Sequence, residues 1–254
     1  MKKPVRILLS VVAVIAALVC VFCILFIVQY VKGKSLNDRL GSGISTGVVT
    51  DDPAAGKKYM TSSVDFASLR DINPEIYAWI EVPGTGVNYA VVQSATDDLF
   101  YNNHGVDGSY YSGGSIFSQR YNATDFQDPM TLLYGHNRQD KTMFTQLNNF
   151  ADAAFFAEHD RILIYTPEKV YEYTIFAAYP HSSEHLLLCH DFSDPEQFRA
   201  YFDGLGEAIN ANYRQELFPQ PGDKVLTLST CYRQNRMQRF LVQGVLTEAY
   251  DVLH

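Results

Sequence analysis

The sequence predicts a mostly β protein, a closed or nearly closed β barrel with helical insertions, preceded by one N-terminal transmembrane helix. Three observations predict this class. Eight short segments are rich in β-branched and aromatic residues and are separated by turn residues. Helical patterns in the remainder of the chain are confined to three stretches. A long apolar run, finally, lies near the start of the chain.

The apolar run covers Ile7–Val28 and contains one polar residue. As a helix that rises about 1.5 Å per residue, it reaches about 33 Å, the thickness of a bilayer core. Three cationic residues precede it and an acidic body follows, so the positive-inside rule predicts residues 1–6 in the cytoplasm and the bulk of the chain outside the cell. The run is longer than the apolar part of a cleaved signal peptide, the alternative interpretation, and no small-residue cleavage site closes it. We therefore expect a single-pass anchor in the cell membrane over residues 7–31.

Residues 32–61 have the composition of a solvated spacer, with five glycines, several serines and threonines and few large apolar residues. This composition predicts a linker that holds an extracellular domain, residues 62–254, away from the membrane. After the anchor the chain has 17 basic and 28 acidic residues, a formal net charge of −11. Such a charge argues against nucleic acid as a partner, because phosphate binding requires lysine and arginine.

The predicted strands of the domain are short and are joined by recognisable turns. Pro83–Gly86 supplies the glycines and the proline of a first hairpin turn, and Thr166–Lys169 supplies a second. The strands are predicted over Ala78–Val82, Val87–Val92, Ser115–Ser118, Thr131–Tyr134, Arg161–Thr166, Lys169–Tyr179, Lys224–Ser229 and Arg239–Thr247.

The predicted helices of the domain are few. Val64–Arg70 has apolar residues at helical spacing after two serines that are suited to capping. Met143–Phe156 is predicted to be helical in two pieces. Pro195–Tyr213 is predicted to be helical with Asp194 as its cap and proline at the first helical position.

The candidate nucleophile is Cys231, which ends the apolar run Val225–Cys231 and is followed directly by polar residues. A thiol at the end of a strand is held by the sheet on one side and is open to substrate on the other. Arg233, Arg236 and Arg239 supply positive potential that favours the thiolate. A disulfide with Cys189 is the alternative, because two cysteines in an oxidising compartment often pair.

A second motif, His181-Ser182-Ser183-Glu184-His185, fits the H-x-x-E-H pattern of inverted zinc peptidases. Its context argues against a metal site, because Pro180 directly precedes it and no long helix surrounds it. We interpret it as a solvated loop that borders a substrate groove, and we expect neither a metal nor another cofactor. The chain also offers no Ser-His-Asp signature of a serine hydrolase.

Three sequence motifs resemble one known family. Thr227-Leu228-Ser229-Thr230-Cys231 resembles the T-L-x-T-C signature of sortases, and serine in its third position is typical of class B. Leu133-Tyr134-Gly135-His136-Asn137 resembles the strand end that presents the sortase histidine, and Gln238–Val242 resembles the arginine-led final strand. The resemblance covers Val64–Thr247, in which the predicted helix Pro195–Tyr213 resembles the class B insertion.

The resemblance implies an eight-stranded barrel and a cysteine transpeptidase. Cys231 would attack the threonine carbonyl of a sorting motif near the C-terminus of a secreted protein and form a thioacyl enzyme. An amine of the peptidoglycan crossbridge would then resolve this intermediate. His136 would transfer protons in both steps, and Arg239 would stabilise the oxyanion or clamp the substrate.

Among the three arginines, Arg239 is favoured because it begins an apolar run, so that a strand fixes its direction, whereas Arg233 and Arg236 lie in a loop. Tyr134, Ser229 and Thr230 flank the candidate catalytic residues and are predicted to line the substrate cleft. Three other functions stay open from sequence alone: a pilin polymerase that uses a lysine acceptor, a cysteine protease that hydrolyses the thioacyl intermediate, and a non-catalytic peptide-binding module.

Overall fold

The computed structural model describes residues 3–52, 57–207, 211–235 and 237–253, and its dominant element is one sheet that closes on itself. The strands of the described residues are β1 (Val49–Asp52), β2 (Lys57–Thr61), β3 (Ile76–Val82), β4 (Val87–Val92), β5 (Ile116–Phe117), β6 (Met130–Tyr134), β7 (Arg161–Tyr165), β8 (Lys169–His181), β9 (Asn212–Tyr213), β10 (Val225–Cys231) and β11 (Arg239–Leu253).

The barrel closes because β11 pairs on both sides. Within the sheet the order is β11-β10-β6-β5-β4-β3-β7-β8, and β8 pairs again with β11 along most of its length. These eight strands form the closed barrel, so the predicted fold class is confirmed. The remaining strands extend the sheet beyond the barrel. β2 pairs in parallel with the C-terminal end of β11, β1 pairs with β2, and β9 pairs with β8.

Both predicted hairpins are present. β3 and β4 are antiparallel with Val82 opposite Val87, and Gly84 in their turn has φ of +80°, a left-handed conformation that favours glycine. The turn between β7 and β8 is closed by Thr166 N, which donates to the carbonyl of Lys169 at 2.8 Å. Trp79 and Ile80 point to opposite faces of β3, and both are buried, so this strand connects two hydrophobic clusters.

The helices of the described residues are short, apart from the first. They are α1 (Lys3–Gly41), α2 (Phe66–Ile72), α3 (Ala153–Glu158), α4 (Leu186–Cys189) and α5 (Pro195–Asp203), together with 3₁₀ helices at Phe100–Asn102, Phe144–Ala151, Gly204–Glu207 and Gln215–Leu217.

The helix predicted over Met143–Phe156 does form two pieces, the 3₁₀ helix that begins at Phe144 and α3. The cap predicted for α5 is also present, since Asp194 accepts from Glu196 N at 2.8 Å. Several helix boundaries differ from the prediction, and two of these differences have an identifiable cause. Asp65 rather than a serine caps α2, because its carboxylate accepts from Ser68 N at 3.0 Å.

The other boundary is the C-terminal end of α5, which stops at Asp203 instead of continuing to Tyr213. Phe198 and Phe202, one helical turn apart, are buried and hold α5 against the domain. Gly204 comes directly after Asp203, and glycine disfavours continuation of the helix. Residues 208–210 lie outside the described residues, and β9 then adds to the sheet.

Residues 32–61 differ from the expectation of a solvated spacer. α1 continues to Gly41, and Leu36 and Leu40, one turn apart, pack against a buried cluster of the domain. β1 and β2 then form a hairpin, and β2 pairs in parallel with the end of β11. The polar composition of these residues therefore did not predict that the first part continues α1 as an amphipathic helix end, or that the last part pairs with β11 through its main chain. The division of the chain at residues 31 and 61 stays a prediction.

Candidate active site

The candidate nucleophile and the candidate histidine meet because two parallel strands end at the same edge of the barrel. β6 and β10 pair in parallel with Tyr134 opposite Ser229, and Gly135 N donates to the carbonyl of Ser229 at 3.1 Å. His136 and Cys231 each lie two residues beyond this pair. Both side chains therefore line the same cavity.

Close packing fixes the point at which β6 ends. A Cβ added to Gly135 would lie 2.6 Å from the side chains of both Ile116 and Phe144, so only glycine fits between them. The absence of a side chain at Gly135 thus allows the backbone to pass between Ile116 and Phe144 directly before His136.

Arg239 reaches Cys231 from the antiparallel neighbour of β10. In the register of β10 and β11, Cys231 lies directly opposite Arg239, the first residue of β11. The guanidinium Nη1 donates a hydrogen bond to Sγ at 3.0 Å. A cation at this distance stabilises negative charge on sulfur, and its fixed planar donors can also serve an oxygen that develops charge beside the sulfur.

The other two arginines differ from Arg239 in their positions. Arg233 is exposed in the loop after β10 and lines a second cavity rather than the one above. Arg236 lies outside the described residues. The selection of Arg239 by its place at the start of a strand therefore agrees with the contact to sulfur, while its catalytic role stays a prediction.

His136 is anchored by a group that the sequence did not reveal. Its Nε2 lies 2.7 Å from the backbone carbonyl oxygen of Asn102, in the 3₁₀ helix that precedes β5. Because a carbonyl oxygen only accepts, Nε2 carries a proton in this arrangement, and Nδ1 is left as the nitrogen that can gain and lose one. No sequence signal could identify Asn102, since it acts through its main chain.

Two asparagines hold the backbone of Cys231. Asn137 Nδ2 donates to the carbonyl of Cys231 at 2.8 Å, and Asn148 Nδ2 approaches the same oxygen at 3.5 Å. The amide oxygen of Asn148 accepts from Arg233 N at 2.7 Å, which fixes the start of the following loop. Asn137 stands next to His136 in the motif that the sequence singled out, whereas Asn148 was missed.

The predicted substrate-binding residues all line a cavity of about 410 Å³. Tyr134 stacks on Phe117 with 5.4 Å between ring centroids. Burial raises the pKa of Tyr134 above its ordinary value although the charge of Arg239 lowers it, so the phenol is neutral at physiological pH. Ser229 and Thr230 are 4% and 2% exposed, so they form the floor of the cavity rather than its rim.

The H-x-x-E-H motif forms part of the wall of this cavity. His181 ends β8 opposite Arg239, and His185 precedes the four-residue helix α4, so the motif does not lie on one helical face. His185 Nε2 lies 2.5 Å from Gln119 Oε1 and 3.4 Å from the hydroxyl of Tyr134. Within the described ranges, no cluster of three or more His, Cys, Asp or Glu residues is arranged to hold a metal ion.

The disulfide alternative is not realised in the structure. Cys189 and Cys231 are both free thiols, with Cys189 exposed at the end of α4 and Cys231 half-buried at the end of β10. Cys231 therefore retains a thiol that faces the cavity.

Comparison with known proteins identifies the family. Residues 80–247 match the family model of the Sortase domain. Sortase B of Staphylococcus aureus is 30% identical over 168 residues, which cover 65% of this chain and 67% of that protein. The crystal structure of sortase B from Bacillus anthracis in complex with AAEK1 aligns with a TM-score of 0.70 at 25% identity, over 87% of this chain and 99% of that one.

A class B sortase of Streptococcus pyogenes that is involved in pilus biogenesis aligns with a TM-score of 0.63 at 28% identity, over 72% of this chain and 98% of that one. The closed barrel and the family match together define a cysteine transpeptidase enzyme. The chain belongs to the sortase family, class B.

Proposed function

We propose that this sortase cleaves a C-terminal sorting motif of secreted proteins after threonine and transfers them to an amine of the peptidoglycan crossbridge. The observation that carries this proposal is the hydrogen bond of 3.0 Å from Arg239 Nη1 to Cys231 Sγ, at the strand edge where His136 also lies. A strand-end thiol with a cationic donor and a proton carrier beside it suits acyl transfer.

In the acylation step, Cys231 Sγ attacks the threonine carbonyl, and the C–N bond of the sorting motif breaks. His136 gives a proton to the leaving amine, and Arg239 stabilises the negative charge on the carbonyl oxygen in the transition state. In the second step, the acceptor amine attacks the thioacyl carbon and loses its proton to His136. The C–S bond breaks, and its electron pair returns to sulfur.

Tyr134, Ser229 and Thr230 would bind the sorting motif in the cavity beside Cys231. The hydroxyl Oγ1 of Thr230 is buried and has no hydrogen-bond partner among the described residues, so it is available to a substrate group after a small movement. The neutral phenol of Tyr134 can donate a hydrogen bond to a peptide carbonyl.

The proposed location is the cell membrane, with residues 1–6 in the cytoplasm and the catalytic domain outside. The described part of α1 contains one segment, within Leu9–Gly41, that is long and apolar enough to cross a bilayer. The proposed orientation rests on the cationic residues that precede this segment.

Pilin polymerisation is a second candidate, supported by the likeness to the Streptococcus pyogenes class B sortase involved in pilus biogenesis. Both functions use the same acylation step and differ in the acceptor amine, which is a crossbridge amine in one and a pilin lysine in the other. The acceptor therefore distinguishes them.

The test is a product analysis with the full chain in detergent micelles. Sorting-motif peptides are incubated with a glycine-based amine acceptor, with a lysine-containing peptide, or with neither, and the products are identified by mass spectrometry. We expect cleavage after threonine and a new amide bond to the glycine acceptor. Transfer to lysine alone would favour the pilin polymerase, free acid in every reaction would favour a protease, and intact peptide would favour a binding module.

A further inference from the structure

A second cavity also borders Cys231 and His136. It has a volume of about 780 Å³, and both candidate catalytic residues line it as well as the first cavity. Its remaining wall includes Tyr30, Arg138, Asp140, Lys141, Thr145 and Arg233. If the sorting motif fills the first cavity, the acceptor reaches the thioacyl carbon from the second cavity.

The second cavity has an excess of positive charge. Its lining contains three cationic side chains, those of Arg138, Lys141 and Arg233. It contains a single carboxylate, Asp140, which already has hydrogen-bond and ion-pair partners. Asp140 accepts hydrogen bonds from the hydroxyls of Tyr30 and Thr142, and Arg138 Nε lies 3.7 Å from its carboxylate. Lys141 and Arg233 are exposed, and within the described residues neither has a carboxylate within 4.0 Å. Arg233 Nη2 donates only a long hydrogen bond, 3.4 Å, to the carbonyl of Thr145, so both side chains keep donors that can bind an anion.

On the side of α1, contacts of Arg138 position the wall of this cavity. Arg138 Nη1 donates to the carbonyl of Ser112 at 2.8 Å, and its guanidinium lies 5.4 Å and 6.0 Å from the ring centroids of Tyr30 and Tyr111. Tyr30 belongs to the same continuous helix as the apolar run. The cavity thus opens beside the membrane-spanning segment, where a membrane-borne acceptor would arrive.

We propose that this cavity binds the acceptor and that Lys141 and Arg233 recognise an anionic group, carboxylate or phosphate, near its nucleophilic amine. The proposal rests on the proposed transpeptidase function and assigns the acceptor side of that site. The amine nitrogen attacks the thioacyl carbonyl, an amide bond forms, the C–S bond breaks with its electron pair returning to Cys231, and the amine proton passes to His136.

The test measures KM for two acceptors with the full chain in detergent micelles. Triglycine carries a carboxylate, whereas triglycinamide has the same amine without the charge. We expect a lower KM for triglycine, and in the double variant Lys141→Gln, Arg233→Gln a rise of that KM by about fivefold or more, as for the loss of exposed ion pairs. Arg199→Gln, which removes an exposed charge on α5 that lines neither cavity, is the matched control.

Pyrophosphate serves as a probe that needs no peptide. We expect it to compete with the acceptor and to raise the melting temperature of the wild type and of Arg199→Gln but not of the double variant. Competition by pyrophosphate with equal KM values for the two glycine acceptors would assign phosphate as the recognised group, and a KM difference without competition would assign carboxylate.

Equal KM values together with no effect of pyrophosphate would overturn the inference, and so would identical behaviour of the double variant and the control. Failure of the proposed function has a different signature. In that case no amide bond to either glycine acceptor forms, whether or not pyrophosphate binds.

Discussion

At the scale of single residues, the candidate site depends on where three strands begin and end. Cys231 and His136 follow a parallel strand pair, and Arg239 begins the strand opposite Cys231. The strand-end position of Cys231 and the strand-start position of Arg239 could be predicted from the apolar runs that adjoin them, whereas His136 was predicted only from the resemblance of its motif to the sortase histidine. Asn102 could not be predicted, since it contributes a carbonyl oxygen that any residue type would supply.

The first prediction concerns the arginine. Arg239→Lys keeps the charge but loses the fixed planar donors, so we expect kcat/KM for the sorting peptide to fall about 100-fold, as for the loss of one oxyanion donor. Arg199→Lys is the control. Steady-state kinetics of peptide cleavage make the measurement, and an Arg239→Lys enzyme within threefold of wild type, a change of about 0.7 kcal/mol, would remove Arg239 from this role.

The second prediction concerns the contact between His136 and the carbonyl oxygen of Asn102, and it compares alanine substitutions of two glycines. Gly114 and Gly108 both have positive φ, +61° and +74°, but a Cβ on Gly114 would lie 2.6 Å from the carbonyl oxygen of Asn102, whereas one on Gly108 meets nothing within 4 Å. Alanine at Gly108 costs about 1 kcal/mol of stability for its left-handed backbone, and alanine at Gly114 costs more because the added Cβ also clashes with main-chain oxygens. Only Gly114→Ala should shift the pH profile of kcat/KM and lower its maximum, by about tenfold or more.

Thermal unfolding and pH-rate profiles of both variants check this prediction. Equal activity losses in Gly114→Ala and Gly108→Ala would show that the carbonyl of Asn102 does not position His136.

At the scale of elements, the end of α1 behaves as part of the catalytic domain. Sequence composition predicted a spacer over residues 32–61 because glycine and polar residues dominate it. The spacing of Leu36 and Leu40 was a readable sign of the amphipathic helix end that the structure contains. The pairing of β2 with β11 left no such sign, since main-chain hydrogen bonds do not depend on residue type.

The third prediction concerns the contact between α1 and the loop at Asp140. Tyr30→Phe removes the hydroxyl that donates to Asp140, so we expect about 1.5 kcal/mol lower stability of this contact near neutral pH. Burial raises the pKa of Asp140, but the hydrogen bonds from Tyr30 and Thr142 and the charge of Arg138 outweigh it, so that the pKa lies below its ordinary value.

The sign of the pH dependence follows from this lowered pKa. The stabilisation is fully present above the unfolded pKa of about 3.9 and is lost as pH falls through the lower folded value. Melting temperatures of wild type and Tyr30→Phe, measured between pH 7 and pH 2, should therefore converge below about pH 4. A difference that stays constant or grows with acidity would contradict this account.

At the scale of the whole molecule, the eight-stranded barrel could be predicted from strand count and family resemblance, whereas its extension by β1 and β2 could not. In this extension, Met60 of β2 lies opposite Val252 near the C-terminal end of β11, and its side chain is fully buried. The N-terminal hairpin and the barrel therefore share one core, and removal of the hairpin would open it.

The fourth prediction measures this shared core. Met60→Ala should lower the free energy of unfolding by about 2–5 kcal/mol, the usual cost of a cavity at a buried large side chain. Met237→Ala, at a position 82% exposed, is the control and should change it by less than about 0.5 kcal/mol. Denaturant unfolding of the full chain in micelles provides the values, and equal effects of the two substitutions would show that β2 is not part of the cooperative unit.

The central claim is that Cys231 is the nucleophile of this class B sortase, and the intact mass of the full chain after incubation with sorting-motif peptides tests it most directly. The account predicts a thioacyl adduct in wild type and in Cys189→Ala, its absence in Cys231→Ala, and its conversion to ligated peptide on addition of an amine. An adduct that persists in Cys231→Ala, or that disappears in Cys189→Ala, would contradict it.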